Sequence, residues 1–162
     1  MSLIPLLTTD QIQALSTSTL AGLTTDEVND FTTAQIVALT TAQWRSFTTS
    51  QLPAFTTAQV AAIETADTAA LSTTQLRALT SGQVAAMTTA QVANLDTAQL
   101  TGLSSIQIAG LTTAQIANLT TAQMAGFGTA QLNPLSSTQV AALTTYNSFP
   151  YTTLFRSRKS VV

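Results

Sequence analysis

From residue 7 to residue 142 one arrangement of apolar and polar positions recurs every eight residues, without insertion or deletion, giving seventeen octads. The first position is always large and apolar: Leu in most copies, with Phe31, Phe47, Phe55, Phe127, Ile63 and Met87 in the others. Position two is Thr or Ser except at Glu64, Asp96 and Gly128, and position three is Thr or Ser throughout. Position five is Gln in fourteen copies, the exceptions being Thr19, Glu27 and Asp67. Position six is apolar in every copy but Thr68. Residues 111–118, LTTAQIAN, are representative. A fixed period without slippage marks a repeat architecture.

The pattern discriminates between conformations. A continuous helix turns about 800° in eight residues, so each octad would rotate its apolar pair by about 80° and no stripe could face a core. A straight strand points positions one and six to opposite faces. A short helix fits better. Thr or Ser at position two and Gln at position five form a capping box, in which the hydroxyl accepts from a backbone N–H three residues on and the Gln reaches back to the cap's own N–H. Positions one and six then fall where a hydrophobic staple would place them. Six of the seven acids occupy positions two, four or five, and the two cations of the array, Arg45 and Arg77, occupy position seven. That is the polarity the helix dipole favours.

Pro53 and Pro134, at positions seven and eight, restrict each helix to one or two turns, since neither could donate within a longer one. Gly22, Gly102, Gly110, Gly126, Asn94, Asn118 and Asp30 at position eight suggest a left-handed residue closing the helix. Thr68 puts a hydroxyl where the core expects a methyl. Its replacement by Val would stabilise by about 1 kcal/mol, or by nothing if the hydroxyl bonds back to the carbonyl four residues earlier. Two buried side chains cannot offset the ordering of eight residues, so a lone octad is unfolded and order comes from stacking. The expected fold is an all-α solenoid of short capped helices, one per octad, with positions one and six inward and seven outward. The alternative is a β-solenoid or amyloid-like matrix protein in which each strand bends and Thr and Gln stack in ladders.

The expected organisation is a lead-in over 1–6, the solenoid over 7–145 and a non-repeat tail over 146–162. Leu143-Thr144-Thr145 starts another copy, and the pattern ends at Tyr146. Neither end carries a polar capping repeat, which suits a fragment of a longer array. The start, MSLIPLL, has no basic segment and too short an apolar run for a signal peptide, and no stretch approaches a membrane span.

Composition narrows the function classes. Charge is 7% of residues against a usual figure near 25%, so solubility rests on Thr, Ser, Gln and Asn. Residues 1–149 hold seven acids and two Arg, net −5, and Arg156, Arg158 and Lys159 bring the chain to −2. That balance argues against nucleic acid, which needs a basic footprint. With no His and no Cys, the usual general bases, thiol nucleophiles and soft metal ligands are missing. No catalytic residue, cofactor or metal is therefore expected. Asp26, Glu27 and Asp30 could hold a hard cation but lack a calcium loop's alternating spacing and Gly, and read better as helix N-terminal charges. Trp44 beside Arg45 is either a sugar or cation platform or, on the simpler reading, a core indole with an exposed neighbour. Asn118-Leu-Thr120 matches a glycosylation acceptor only incidentally.

The L-T-T-A-Q-[IV]-A-[AN] octad resembles repeat tracts of very large bacterial surface or secreted proteins, some labelled haem utilisation or adhesion proteins. The resemblance implies an extracellular scaffold or adhesin stalk with a surface, a polysaccharide or itself as partner. The haem label has little to rest on, because only Met87 and Met124 within the array could offer an axial ligand, Tyr146 and Tyr151 lying beyond it. A Thr lattice that binds ice or another ordered surface is a further reading. Residues 149–157, FPYTTLFRS, resemble the in-frame translation of a sequencing-library adapter; the other reading is a basic amphipathic tail.

Overall fold

The computed structural model describes residues 2–146, with side chains through residue 143. Among them are sixteen short α-helices, labelled α1 to α16 in chain order, two 3₁₀ turns and no strand. The chain is an all-α solenoid, and the bent-strand alternative is excluded.

The helices stack in three columns. The first holds α1 (Thr9–Gln13), α4 (Thr33–Ala38), α6 (Thr57–Ala62), α9 (Ser81–Ala86), α12 (Ser105–Gly110) and α15 (Thr129–Leu132). The second holds α2 (Thr17–Ala21), α5 (Thr41–Ser46), α7 (Thr65–Ala70), α10 (Thr89–Ala93), α13 (Thr113–Ala117) and α16 (Ser137–Tyr146). The third holds α3 (Thr25–Asn29), the 3₁₀ turn Leu52–Ala54, α8 (Thr73–Ala78), α11 (Thr97–Gly102) and α14 (Thr121–Ala125). Each element packs on the one three octads away, so a coil closes every 24 residues.

Local chemistry sets the helix limits. In α1 to α15 the N-cap is the position-two residue, and its side chain accepts from the backbone N–H three residues on everywhere but at Glu64 and Gly128. The next position one then turns the backbone extended, as at Leu111 with φ −60° and ψ 139°, and starts a new segment. Pro53 reduces its octad to the 3₁₀ turn, and Pro134 follows a helix of four residues. The copy begun by Leu143-Thr144-Thr145 has Asn147 in place of Gln at its fifth position, and α16 runs through that copy to Tyr146.

The left-handed closure expected at position eight does not occur. Gly22, Asp30, Asn94, Asn118 and Gly126 all lie in the right-handed region, with φ between −92° and −74°. Three of the glycines are explained instead by the coil below. A Cβ on Gly126 would come within 2.6 Å of Thr97 Cγ2, one on Gly102 within 3.2 Å of Thr73 Cβ, and one on Gly110 within 3.1 Å of Ser81 O. Position eight packs on position three of the preceding coil, and glycine marks the tightest approaches.

Positions one and six form one continuous core from Ile4 to Leu143, at the axis of the coils. The lead-in contributes to it, for Ile4 is buried where a position-six residue would lie. Trp44, Phe47, Phe55 and Phe31 form an aromatic cluster with ring centroids 5.1–6.3 Å apart. Thr68 occupies the column position one coil above Trp44, so the smallest position-six side chain follows the largest. Its hydroxyl donates to Glu64 O at 3.2 Å, the local bond that satisfies it.

Two outcomes follow for stability. In a central octad Thr112→Ala should cost about 1 kcal/mol in chemical denaturation, whereas Thr112→Asp should be near neutral, because a carboxylate also caps and Asp96 already does so. Thr113→Ala should cost clearly less than Thr112→Ala. Thr68→Val should change stability by no more than about 0.5 kcal/mol, since losing the hydroxyl bond offsets the relief of burying a polar group. A gain well above that would show the hydroxyl to be strained against the core.

Candidate functional site

The most constrained polar group in the array is the position-five Gln, which sits between coils. From Gln35 onward these side chains are buried or nearly so, most of them below 8% exposure. Each Gln carries one acceptor and two N–H donors, and burial demands partners for all of them. The acceptor closes the capping box: Thr112 N–H donates to Gln115 Oε1 at 2.7 Å. The donors leave the octad altogether. Gln115 Nε2 donates to Met87 O at 2.6 Å and Val84 O at 3.1 Å, 28 and 31 residues earlier. Gln107 does the same to Leu79 O at 2.7 Å and Leu76 O at 2.9 Å, and Gln43 to Leu15 O and Ile12 O.

Of the two carbonyls reached, the position-six one also accepts a backbone N–H, as Val84 O does from Met87 at 3.3 Å, whereas the position-one carbonyl, such as Met87 O, has no backbone donor among the described residues. The last turn of a helix leaves its C=O groups without an i+4 donor, and the extended residue after it turns its carbonyl out of the helix. One side chain therefore closes the N-terminus of its own helix and the C-terminus of the helix below. The bridge is the stitch between coils.

Two of the three copies without Gln follow from this geometry. Gln11, Thr19 and Glu27 are the position-five residues of the first coil, Gln11 and Thr19 exposed and Glu27 half-buried, and among the described residues Gln11 Nε2 makes no bond to another coil. In that coil only the capping acceptor has a use, and Thr19 dispenses even with that, meeting Ser16 Oγ at 2.8 Å without a capping box. Glu27 supplies the acceptor to Thr24 N–H at 2.9 Å and Thr24 Oγ1 at 3.0 Å, and these two bonds hold its carboxyl below the ordinary carboxylate value. The carboxylate thus supports the box at neutral pH, and the support is lost as pH falls through that lowered value.

Asp67 is the exception inside the stack. Its carboxylate has no N–H to offer Ile36 O and Leu39 O, and the link is reversed: Thr41 Oγ1 in the coil below donates up to Asp67 Oδ1. Arg45 Nε, also in the lower coil, donates to Ala70 O at 3.1 Å. Here the donors come from below.

The residues weighed for chemistry fall out as follows. Trp44 is fully buried, and its Nε1 is buried without a hydrogen-bond partner among the aromatic rings, so it offers no platform. Asp26 and Glu27 stand in the first turn of α3 and Asp30 at its C-cap, and no cluster of three metal-ligating side chains exists among the described residues. Met87 and Met124 are core residues. Tyr151 and the adapter-like stretch lie outside the described residues. No described helix is long and apolar enough to cross a membrane.

The family model of the ALTTAQ repeat matches the chain five times in overlapping spans, at residues 4–41, 28–62, 60–97, 94–121 and 117–145. No curated protein and no solved structure matches it.

The bridge is tested by charge. Gln91 donates to Ile63 O at 2.6 Å and Val60 O at 3.1 Å. Gln91→Glu keeps the capping acceptor but turns a carboxylate on those oxygens, and should cost about 3 kcal/mol at pH 7. A protonated Glu can donate, so the folded state raises the pKa of Glu at this site. The deficit should shrink below about pH 4 and grow as pH rises through the raised value. Gln11→Glu, with no coil beneath, should change stability by no more than about 0.5 kcal/mol. Equal costs at the two positions in urea denaturation would remove the inter-coil role.

Proposed function

We propose, from the premise that the chain belongs to the ALTTAQ repeat family, that this solenoid is a non-catalytic structural or adhesive scaffold. In this reading it is a portion of a larger bacterial surface or secreted protein. The observation that carries the reading is the bridge. Because the same Gln contact joins every coil from the second to the last described one, the array propagates by adding octads and needs no special residue between them. Length is then the quantity such a chain supplies. Packed helices lie about 8–10 Å apart, so each added 24-residue coil extends the rod by about that distance.

A second reading has one observation in its favour. In the first column, the octads from 31 to 134 carry no charged residue, while all the charges of the array except Asp10 fall on the other two columns. An uncharged ladder mostly of Thr, Ser and Ala, with Val37 and Ile106 also exposed on it, suits an ordered partner, such as a crystalline surface. Thermal hysteresis at high protein concentration would identify ice as that surface, and its absence would remove ice from consideration.

The scaffold reading is tested by small-angle scattering on chains lengthened with copies of residues 95–118, a whole coil of three octads. The maximum dimension should increase by about 8–10 Å per inserted coil with an unchanged cross-section. Growth of the cross-section instead would defeat it. Antibody labelling of intact producing cells tests the surface location separately.

A further inference from the structure

The corner between the second and third coils carries a shallow, wide-open groove of about 610 Å³ whose lining includes Arg45, Thr48, Thr49, Ser72 and Thr74. All five are exposed. Phe47 and Gln75, both buried, close its floor. Most octads place a small residue at position seven, so Arg45 is what sets this corner apart. Its Nε is committed to Ala70 O at 3.1 Å, which ties the guanidinium across the groove and leaves its two terminal amino groups. The hydroxyls of Thr48 and Ser72 serve the capping boxes of Gln51 and Gln75, whereas those of Thr49 and Thr74 have no partner among the described residues. No acid lines the groove; Asp67, the buried acid of the overlying octad, is taken by Thr41.

We infer that this groove binds a carboxylate-bearing sugar unit, a uronate, through the terminal amino groups of Arg45 and the free hydroxyls of Thr49 and Thr74. A guanidinium presents paired donors that match a carboxylate. Threonine hydroxyls both donate and accept, which suits vicinal sugar hydroxyls. An acidic peptide fits less well, because the described residues offer no strand edge to pair its backbone. The inference deepens the adhesive side of the scaffold reading by naming a partner class. It is read by ligand titration, and the rod by scattering, so either can fail alone.

The experiment is an NMR titration of the full chain with glucuronate, with glucose as the neutral control. Saturable shifts are expected at the amides of Thr48, Thr49, Ala70 and Ser72, with glucose binding at least tenfold more weakly. Arg45→Gln should weaken glucuronate at least tenfold; Gln13 already occupies the same octad position, so the fold is retained. Arg77→Gln should leave binding unchanged, and Thr74→Val should weaken it about threefold without touching Arg45. Equal shifts for the parent and Arg45→Gln, or equal binding of glucose and glucuronate, would overturn the proposal. So would tighter binding of oligoglutamate than of oligogalacturonate, which would assign the groove to an acidic peptide.

Discussion

A helix of five or six residues is nearly all ends. Four N–H groups at its start and four C=O groups at its finish have no intrahelical partner, so in such an element the unpaired groups outnumber the paired ones. Burying those ends in a stack costs about 1–3 kcal/mol for each group left unmet, several times what one octad gains from any single contact. The octad answers this with one side chain. Gln at position five supplies an acceptor to its own cap and donors to two carbonyls one coil below, one of which has no backbone donor, and it does so while almost wholly buried. Glu could cap equally well but would set negative charge on carbonyl oxygens. A carboxylate inside the stack accepts instead of donating, as Asp67 does from Thr41.

The core obeys the same step. Positions one and six point to the axis, so each coil adds a layer of six such side chains to the layer beneath. Side-chain size must then be matched between layers rather than within an octad. Trp44 fits because Thr68 follows it in the column and because Phe47 and Phe55 pack on its indole with centroids 5.3 Å away. Position eight adapts in parallel, with glycine where a Thr or Ser of the lower coil comes closest. Nearest-neighbour coupling of this kind makes stability approximately a sum over coils and their interfaces.

How much of this was legible in the octads depends on which contacts stay inside eight residues. The N-cap at position two, the inward positions one and six, the burial of Trp44 and the limits set by Pro53 and Pro134 are local, and the pattern carries them. The number of octads per coil is not local. Near-identical octads give no mark of which copies meet, and only rare pairs such as Gly102 over Thr73 record the 24-residue step. The second role of Gln left a subtler trace: Glu would serve a capping box as well, so a near-exclusive amide implies use of its N–H₂. The two first-coil exceptions, Thr19 and Glu27, point the same way once that coil is seen to have nothing beneath it. Position eight misled because glycine and asparagine suit both a left-handed closure and a close approach, and the backbone angles decide for the second. The Arg45 groove could not be read at all, since it forms only where residues 63–75 lie over residues 45–49.

The reversed link at Asp67 shows what the stack requires and what it leaves free. Between the second and third coils, Gln59 and Gln75 bridge two columns in the usual sense, with bonds to Phe31 O and Phe47 O. In the remaining column the donors rise from Thr41 and Arg45 instead. The requirement is therefore a polar tie in each column at each step, and not a particular direction for it. Where the tie is a Gln, its side chain is buried and most of the outer surface is Thr, Ser and Ala, broken by Val37, Arg77 and Ile106. Where the tie is an Arg reaching up from position seven, a cation is held at the rim of a groove. A change in the internal stitching thus alters the external chemistry at that one corner, which is how a repeat built for length acquires a local feature without interrupting its stack.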